Sequence, residues 1–367
     1  MRALARIDTG TIAHNTARLA QAASRSAVCA VVKSDGYGHG ALTAARAVLE
    51  GGASWLAVAA AEEARVLRAA GIDARLLVMG ALDDEELAVA LAADADVVAW
   101  TEEFLAALPA QARVHVKLDT GMGRLGTRDP ELGARLAEAA GERLAGLMTH
   151  FATADEPGDT FMDEQLERFR AWVEPLRGRH PHAVVHAANS AATLRDPATH
   201  FDMVRPGVAL YGMDPFGQDP FAQGLEPALA LVTKVLAVKD AAPGESAGYG
   251  RRFVAREPTQ LATLPIGYGD GWRRALTNNA DVLVGGRRFP LVGTVSMDNI
   301  TIDLGRDSGV AVGDEAVLIG PQGDERILAE EVARRLGTIN YEVTCALTAR
   351  VVRTDPRDRF ADTGGRS

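Results

Sequence analysis

Cysteine is scarce: the chain has two, Cys29 and Cys345, far apart and in neither a CxxC pair nor a metal-ligand spacing. That excludes a disulfide framework and a cysteine-based metal centre, and leaves core thiols in a reducing compartment as the simplest expectation. Positive charge is also in deficit. Against 49 acidic residues stand 39 Lys and Arg, a formal charge of −10 with a pI near 5.4, which argues against a nucleic-acid or anionic-membrane surface. No apolar run approaches the length of a membrane span, and the opening residues MRALARIDTG lack the apolar stretch of a signal peptide. A soluble cytoplasmic protein is expected. No long linker, low-complexity tract or internal repeat interrupts the sequence.

What is present is a large apolar complement, 47% of 367 residues, enough for a substantial core. Strand-like apolar runs recur at 28–32, 55–60, 76–79, 97–100, 114–118, 144–149, 183–187 and 208–211, with alanine-rich amphipathic segments such as 61–70 and 84–92 between them. Strands alternating with helices about eight times predict a (β/α)₈ barrel. The rival doubly wound sheet lacks its fingerprint, since no GxGxxG follows the first of these strands. After about residue 225 the texture changes to short apolar runs separated by Pro, Gly and Asp turns, broken by one helix at 328–336, which reads as a mostly antiparallel β domain. The expected domains are therefore 9–225, a barrel, and 226–367, a β domain with which a short strand in 1–8 associates.

The first strand of the alternation runs into AVVKSDGYGHG, placing Lys33 at a strand's carboxyl end before three glycines. Ligands of parallel α/β folds gather at that rim, and a partly desolvated lysine there can condense with an aldehyde. Other rim segments carry polar residues: KLDTGMGRLG (117–126), THFATADE (149–156), HAANSAA (186–192) and VRPGVALYG (204–212). Each has a plain alternative. His150 and His186 read equally as satisfied core histidines, Arg124 as a partner for Asp119, Arg205 as a surface cation, and Asn189 and Ser190 as a helix cap. Recurrence at one rim favours chemistry. Gly207 and the Asn189-Ser190 turn suit a phosphate beside the eighth strand, and a Schiff-base lysine with a phosphate cradle points to pyridoxal 5′-phosphate.

With these segments the chain resembles the alanine racemase family over nearly its whole length. VVKSDGYGHG, KLDTGMGRLG, THFATADE, HAANS, RPGVALYG, GYGRRF, PIGYGDGW, VSMDN and INYE all stand in the family's order. The resemblance implies a barrel plus β domain, a pyridoxal-phosphate racemase of alanine supplying D-alanine for peptidoglycan, and a homodimer with active sites shared across the interface. It assigns Lys33 to the cofactor linkage and to proton transfer on one face of the substrate, and Tyr249 of the other subunit to the opposite face. Racemisation needs a proton removed from one face and returned to the other, so two opposed bases suit it. A tyrosine's ordinary pKa of about 10 makes it a poor base unless shifted, and Arg251 and Arg252 are candidate cations nearby. Without the family pattern, Tyr249 would read as a packed β-domain tyrosine.

By the same resemblance Arg205 faces the pyridine nitrogen, held by His186, with His150 near the ring. An arginine there opposes protonation of that nitrogen and weakens the electron sink, which suppresses transamination. Tyr37, Asn189, Ser190, Gly207, Val208 and Tyr341 are the implied cofactor contacts around the phosphate. Arg124 reaches the phenolic oxygen and the substrate carboxylate, the Met297 backbone is a second carboxylate donor, and Tyr268 with Tyr341 narrows the entrance. Lys117 occupies a position that is often carbamylated in the family. The departures are small: Asp35-Gly36 replaces the common Asn-Ala, and Thr294 and Asn299 flank VSMD where Arg and Gln are frequent. Two further readings stand beside this one. A decarboxylase of basic amino acids would show a Gly-Gly-Gly loop and a catalytic cysteine in the β domain; a non-catalytic cofactor-binding barrel would lack the β domain.

Overall fold

The computed structural model describes residues 2–355, so the stretch 356–367 of the expected second domain lies outside the described residues. The chain forms two compact units.

One unit, Ile12–Phe216 with Gln223–Leu225, holds a closed parallel barrel. After β1 (Leu4–Ile7), which belongs to the other unit, its strands are β2 (Ala27–Val31), β3 (Trp55–Val58), β4 (Arg75–Val78), β5 (Ala95–Ala99), β6 (Val114–Lys117), β7 (Leu144–Met148), β8 (Val184–His186) and β9 (Met203–Val204). Each pairs with the next, and β2 closes on β9. Every residue of β3, β5 and β7 is buried, because barrel strands face side chains on one side and helices on the other. Local signals set the helices. In the helix Asp84–Ala92 the Asp83 carboxylate accepts the Glu86 N–H at 2.9 Å, and the Glu86 carboxylate accepts the Asp83 N–H in return.

The eighth strand departs from expectation. The run 208–211 is not a strand but a buried 3₁₀ turn, Val208–Tyr211, and Met203–Val204 closes the barrel instead. Pro206 has no N–H for a ladder, and four apolar residues buried on all sides look alike in strand and helical turn.

The other unit, Met1–Thr11, Gly217–Ala222 and Glu226–Ser367 within its described part, is built on a sheet. Its strands are β10 (Leu229–Lys234), β11 (Ala237–Ala241), β12 (Ser246–Ala247), β13 (Phe253–Val254), β14 (Thr259–Leu264), β15 (Asp281–Val284), β16 (Arg287–Val292), β17 (Ile300–Gly305), β18 (Glu315–Gln322), β19 (Glu325–Ile327) and β20 (Val352–Thr354). The sheet order is β11-β14-β17-β16-β15-β18-β10-β1-β20, with β19 beside β18. All pairs are antiparallel except β1 with β20. The ribbon of β12 and β13 stands apart and carries the turn of Tyr249. The helix Ala329–Leu336 ends on Gly337 in a left-handed conformation. Of the two cysteines only Cys29 is a core thiol. Cys345 is exposed, as the last residue of the helix Asn340–Cys345, whose Val343 and Thr344 take the buried side. Among the described residues no helix is long and apolar enough to cross a membrane, and no cluster of His, Cys, Asp and Glu could hold a metal.

Candidate active site

Lys33 follows the last buried positions of β2, where the chain turns left-handed. Ser34, Asp35, Gly36 and Tyr37 have φ of 54°, 53°, 60° and 54°, a full left-handed turn that costs roughly 1–2 kcal/mol for each residue bearing a Cβ. Side chains hold it in place. The Glu63 carboxylate accepts the Ser34 N–H at 2.6 Å and the Ala59 and Ala60 N–H groups at 2.9 and 3.1 Å, tying the turn after β2 to the turn after β3. Asp35 accepts the Ala41 N–H at 2.8 Å and so starts the helix Ala41–Glu50. Gly36 is required twice over, by its φ and because a Cβ would sit 2.9 Å from that of Ala44.

The turn aims Tyr37 at the opposite side of the barrel closure. A Cβ on Gly207 would overlap the Tyr37 hydroxyl, so the phenol lies against bare backbone. Ser190 Oγ accepts the N–H of Gly207 at 2.8 Å and that of Ala209 at 3.3 Å. Tyr37, Ser190, Gly207 and the start of the Val208 turn are thus one cradle. Asn189 is used differently: its Oδ1 accepts the Ala192 N–H at 3.0 Å and caps the helix Ser190–Arg195. Tyr211 supports the cradle from behind, its ring 5.1 Å from that of Tyr37 and its hydroxyl donating to the Val31 carbonyl at 3.1 Å.

Arg205 is buried rather than a surface cation. Its Nη1 donates to His186 Nδ1 at 2.8 Å, and its Nη2 to the Thr149 and Ala187 carbonyls at 2.7 and 3.0 Å, with His150 Nδ1 at 3.3 Å. Nε is the guanidinium nitrogen with no protein acceptor among the described residues. Burial draws Arg205 down to about 10, which leaves it charged at neutral pH. Burial, then the Arg205 charge, holds both His150 and His186 well below the usual imidazole range.

Lys117 ends β6 and is buried; burial, then Arg205 and Arg124, pull its amine down to about 8. The charges of Lys33, Arg124, Lys117 and Arg205 all bear on His150, which places them around one centre. Arg124 does not pair Asp119. That carboxylate instead accepts the Gly121 and Gly123 N–H groups at 3.1 and 3.0 Å and Arg128 Nε at 3.2 Å, stiffening the loop while Arg124 stays exposed. Among the described residues no carboxylate balances this cationic centre through an ion pair with Arg124, Lys117 or Arg205. An anionic ligand suits it.

In the sheet unit Tyr249 is not a packed tyrosine; it is 73% exposed. It stands on a turn with Gly248 and Gly250 at φ of 71° and 70°, and Thr294 Oγ donates to its carbonyl at 2.6 Å. Arg251 is engaged with Ser246 Oγ and the Gly244 carbonyl, at 3.1 and 3.2 Å. Tyr268 and Met297 are brought together. The Tyr268 N–H donates to the Ser296 carbonyl and the Gly269 N–H to the Met297 carbonyl, and both side chains are exposed. Tyr341 is half-buried in the helix Asn340–Cys345.

The sequence reading missed His115, Asp96 and Gln165. His115 lies two residues before Lys117 on β6, so both face the same side, a period-two signal that was available. Gln165 bridges Thr120, His150 and Ala152 by three bonds from a distant helix, which no local pattern reveals.

Comparison with known proteins agrees with this architecture. The family model for the alanine racemase N-terminal domain matches residues 7–215, and that for its C-terminal domain residues 228–355. An alanine racemase of Frankia casuarinae is 43% identical over 96% of both chains, and one of Symbiobacterium thermophilum 42% identical over 95% of this chain and 96% of its own. Among solved structures, the alanine racemase of the D-cycloserine producer Streptomyces lavendulae superposes with a TM-score of 0.89 at 38% identity, covering 97% of each chain. That of Bacillus anthracis with bound L-Ala-P gives 0.89 at 36%, covering 98% and 96%. On the match of both domain models and of relatives along nearly its entire length, the chain belongs to the alanine racemase family of isomerases.

Proposed function

We propose that this enzyme interconverts L- and D-alanine with pyridoxal 5′-phosphate, moving a proton at Cα between two opposed bases, Lys33 and Tyr249 of a second copy. The observation that carries the reading is the convergence of Lys33, Lys117, Arg124 and Arg205 on one barrel rim beside the Tyr37–Ser190–Gly207 cradle. These residues fit the cofactor: a lysine for the aldehyde, a close-approach glycine with hydroxyls for the phosphate, and a spare Nε–H on Arg205 for the ring nitrogen. When bound, the cofactor supplies an electron sink for the negative charge left at Cα.

The protein's own part is positional. The Arg205 guanidinium, fixed by three acceptors, would face the ring nitrogen with a donor that does not give up its proton, and would so oppose protonation there and weaken the sink. A weak sink favours rapid return of the proton to Cα over side reactions. Arg124 neutralises the substrate carboxylate, with the Met297 backbone as a second donor, and Tyr268 and Tyr341 limit the side chain to a small one. His150 would stand beside the ring, and Asn189 and Val208 would complete the phosphate surroundings. Lys117, with its amine lowered to about 8, holds an appreciable uncharged fraction near neutral pH and takes up carbon dioxide as a carbamate, an anion that steadies Arg124. The exposure of Tyr249 on its turn suits a residue that completes the site of a second copy, and supports a homodimer with shared sites. In a bacterial cytoplasm the D-alanine would serve peptidoglycan.

The test is incubation of the loaded enzyme with L-alanine in D₂O, followed by chiral separation and mass analysis. D-alanine deuterated at Cα is the expected product. L-alanine recovered unlabelled, with cofactor bound, would sink the reading.

A further inference from the structure

Behind the rim, hydrogen bonds run in series through the barrel. Arg205 Nη1 meets His186 Nδ1 at 2.8 Å, His186 Nε2 meets His115 Nδ1 at 2.8 Å, and His115 Nε2 meets the Asp96 carboxylate at 3.0 Å. Asp96 is fully buried and also accepts from Arg75 Nη2 at 2.8 Å and Arg113 Nε at 2.6 Å. Arg75 opens β4, Asp96 lies near the start of β5 and Arg113 immediately precedes β6, whereas Arg205 follows the end of β9. The series therefore joins the two ends of the barrel. Its geometry is enforced by packing: Gly146, opposite His115 on β7, has no room for a Cβ beside the His115 ring, and Trp55 meets that ring edge-on at 5.8 Å while Arg75 stacks over the indole.

The direction of the bonds follows from the two ends independently. Arginine has no acceptor, so His186 Nδ1 accepts, and a neutral imidazole must then donate from Nε2. His115 Nδ1 accepts that proton and its Nε2 donates in turn. From the far end, a carboxylate held by two arginines is an acceptor only, and demands the same His115 Nε2–H. Protonating either ring would set two donors face to face. Burial keeps both imidazoles towards their neutral forms.

We propose that Asp96 is a positioning residue for the racemisation: by accepting from His115 it fixes both imidazoles as Nε2–H tautomers and so keeps His186 Nδ1 an acceptor that holds Arg205 in place. The proposal rests on Arg205 facing the cofactor's ring nitrogen. An aspartate serving only as a counter-charge for Arg75 and Arg113 would leave the tautomers to be set from the Arg205 end alone. Replacing the carboxylate by an amide lets an NH₂ face His115 Nε2, reverses both rings, and sets His186 Nδ1–H against the Arg205 donor.

The experiment is ¹⁵N NMR of the histidine-labelled apoprotein, where imidazole nitrogen shifts report the tautomer without any cofactor. In the wild type His115 and His186 are expected as Nε2–H. In Asp96→Asn they are expected to reverse, with kcat of the loaded enzyme falling roughly tenfold or more and the KM for alanine changing less. As a control, Arg113→Gln keeps Asp96 bonded to Arg75 and His115, and should retain the tautomers and kcat while lowering thermal stability. His186 found as Nδ1–H or as the imidazolium in the wild type overturns the proposal even if Asp96→Asn does not fold. So does a folded Asp96→Asn with wild-type kcat. If Arg205→Lys racemises at the wild-type rate while the tautomers stand as stated, the Arg205 reading falls and with it the role of Asp96 in the reaction, the histidine order surviving alone.

Discussion

The Arg205 guanidinium bonds His186 Nδ1 at 2.8 Å across 19 residues of sequence, both groups buried at one end of the barrel. Nη1 and Nη2 are thereby committed to protein acceptors. Arg205→Lys retains a charge but cannot span three acceptors from one planar fork. With a charged hydrogen bond contributing about 1.5–3 kcal/mol, loss of one or two lowers kcat by roughly tenfold to ten-thousandfold. Pyruvate released from alanine, a product of transamination, should rise as racemisation falls. Both are read by chromatography of the reaction mixture.

The proposed sharing of sites between two copies makes a specific demand. Lys33→Ala and Tyr249→Phe should each be nearly inactive alone, while Tyr249→Phe keeps its cofactor. Dissociated, mixed and reassociated, half of the dimers would carry one intact site of two, restoring about a quarter of wild-type activity. No recovery on mixing would place Tyr249 in its own chain's site or outside the mechanism.

The Tyr37 hydroxyl lies where a Gly207 side chain would be. Gly207→Ala must push the phenol aside and distort the proposed phosphate contacts. Cofactor affinity, titrated by absorbance into apoprotein, should weaken roughly tenfold or more, a cost of about 1.4 kcal/mol, with the circular dichroism spectrum unchanged.

Lys117 offers a test by isotope and by pH. With ¹³C-bicarbonate present, a carbamate carbon resonance should appear and be missing from Lys117→Ala. Without bicarbonate the amine is free, and its folded pKa of about 8 lies below the ordinary 10.5. The unfolded chain then binds more protons between those values, so this residue destabilises the fold fully below pH 8 and progressively less as pH rises towards 10.5. Bicarbonate should therefore raise the melting temperature of wild type near pH 7.5 but not that of Lys117→Ala.

The turn after Lys33 supplies a stability test. Gly36→Ala forces a side chain into φ of 60° and within 2.9 Å of the Ala44 methyl. A destabilisation of about 1–3 kcal/mol is expected, read as a lower denaturant midpoint with unchanged slope.

By itself the sequence determined the alternation of elements and the rim that carries the candidate site. Those are local properties: apolar period, Asp83 and Gly337 as end signals, and Lys33 at the close of a β-branched run before three glycines. Tertiary structure decided what local pattern leaves open. Whether 208–211 is strand or turn depended on Pro206 and on which residues closed the barrel against β2. The exposure of Tyr249 and of Cys345 depended on which faces of their elements the sheet unit covered. Above all, His115 and His186 are 71 residues apart, and nothing in the sequence links the one, which carried no motif, to the other. Only closure of the barrel makes one ring the acceptor of the other, because a hydrogen bond's direction is fixed by its partners and not by the residue that makes it.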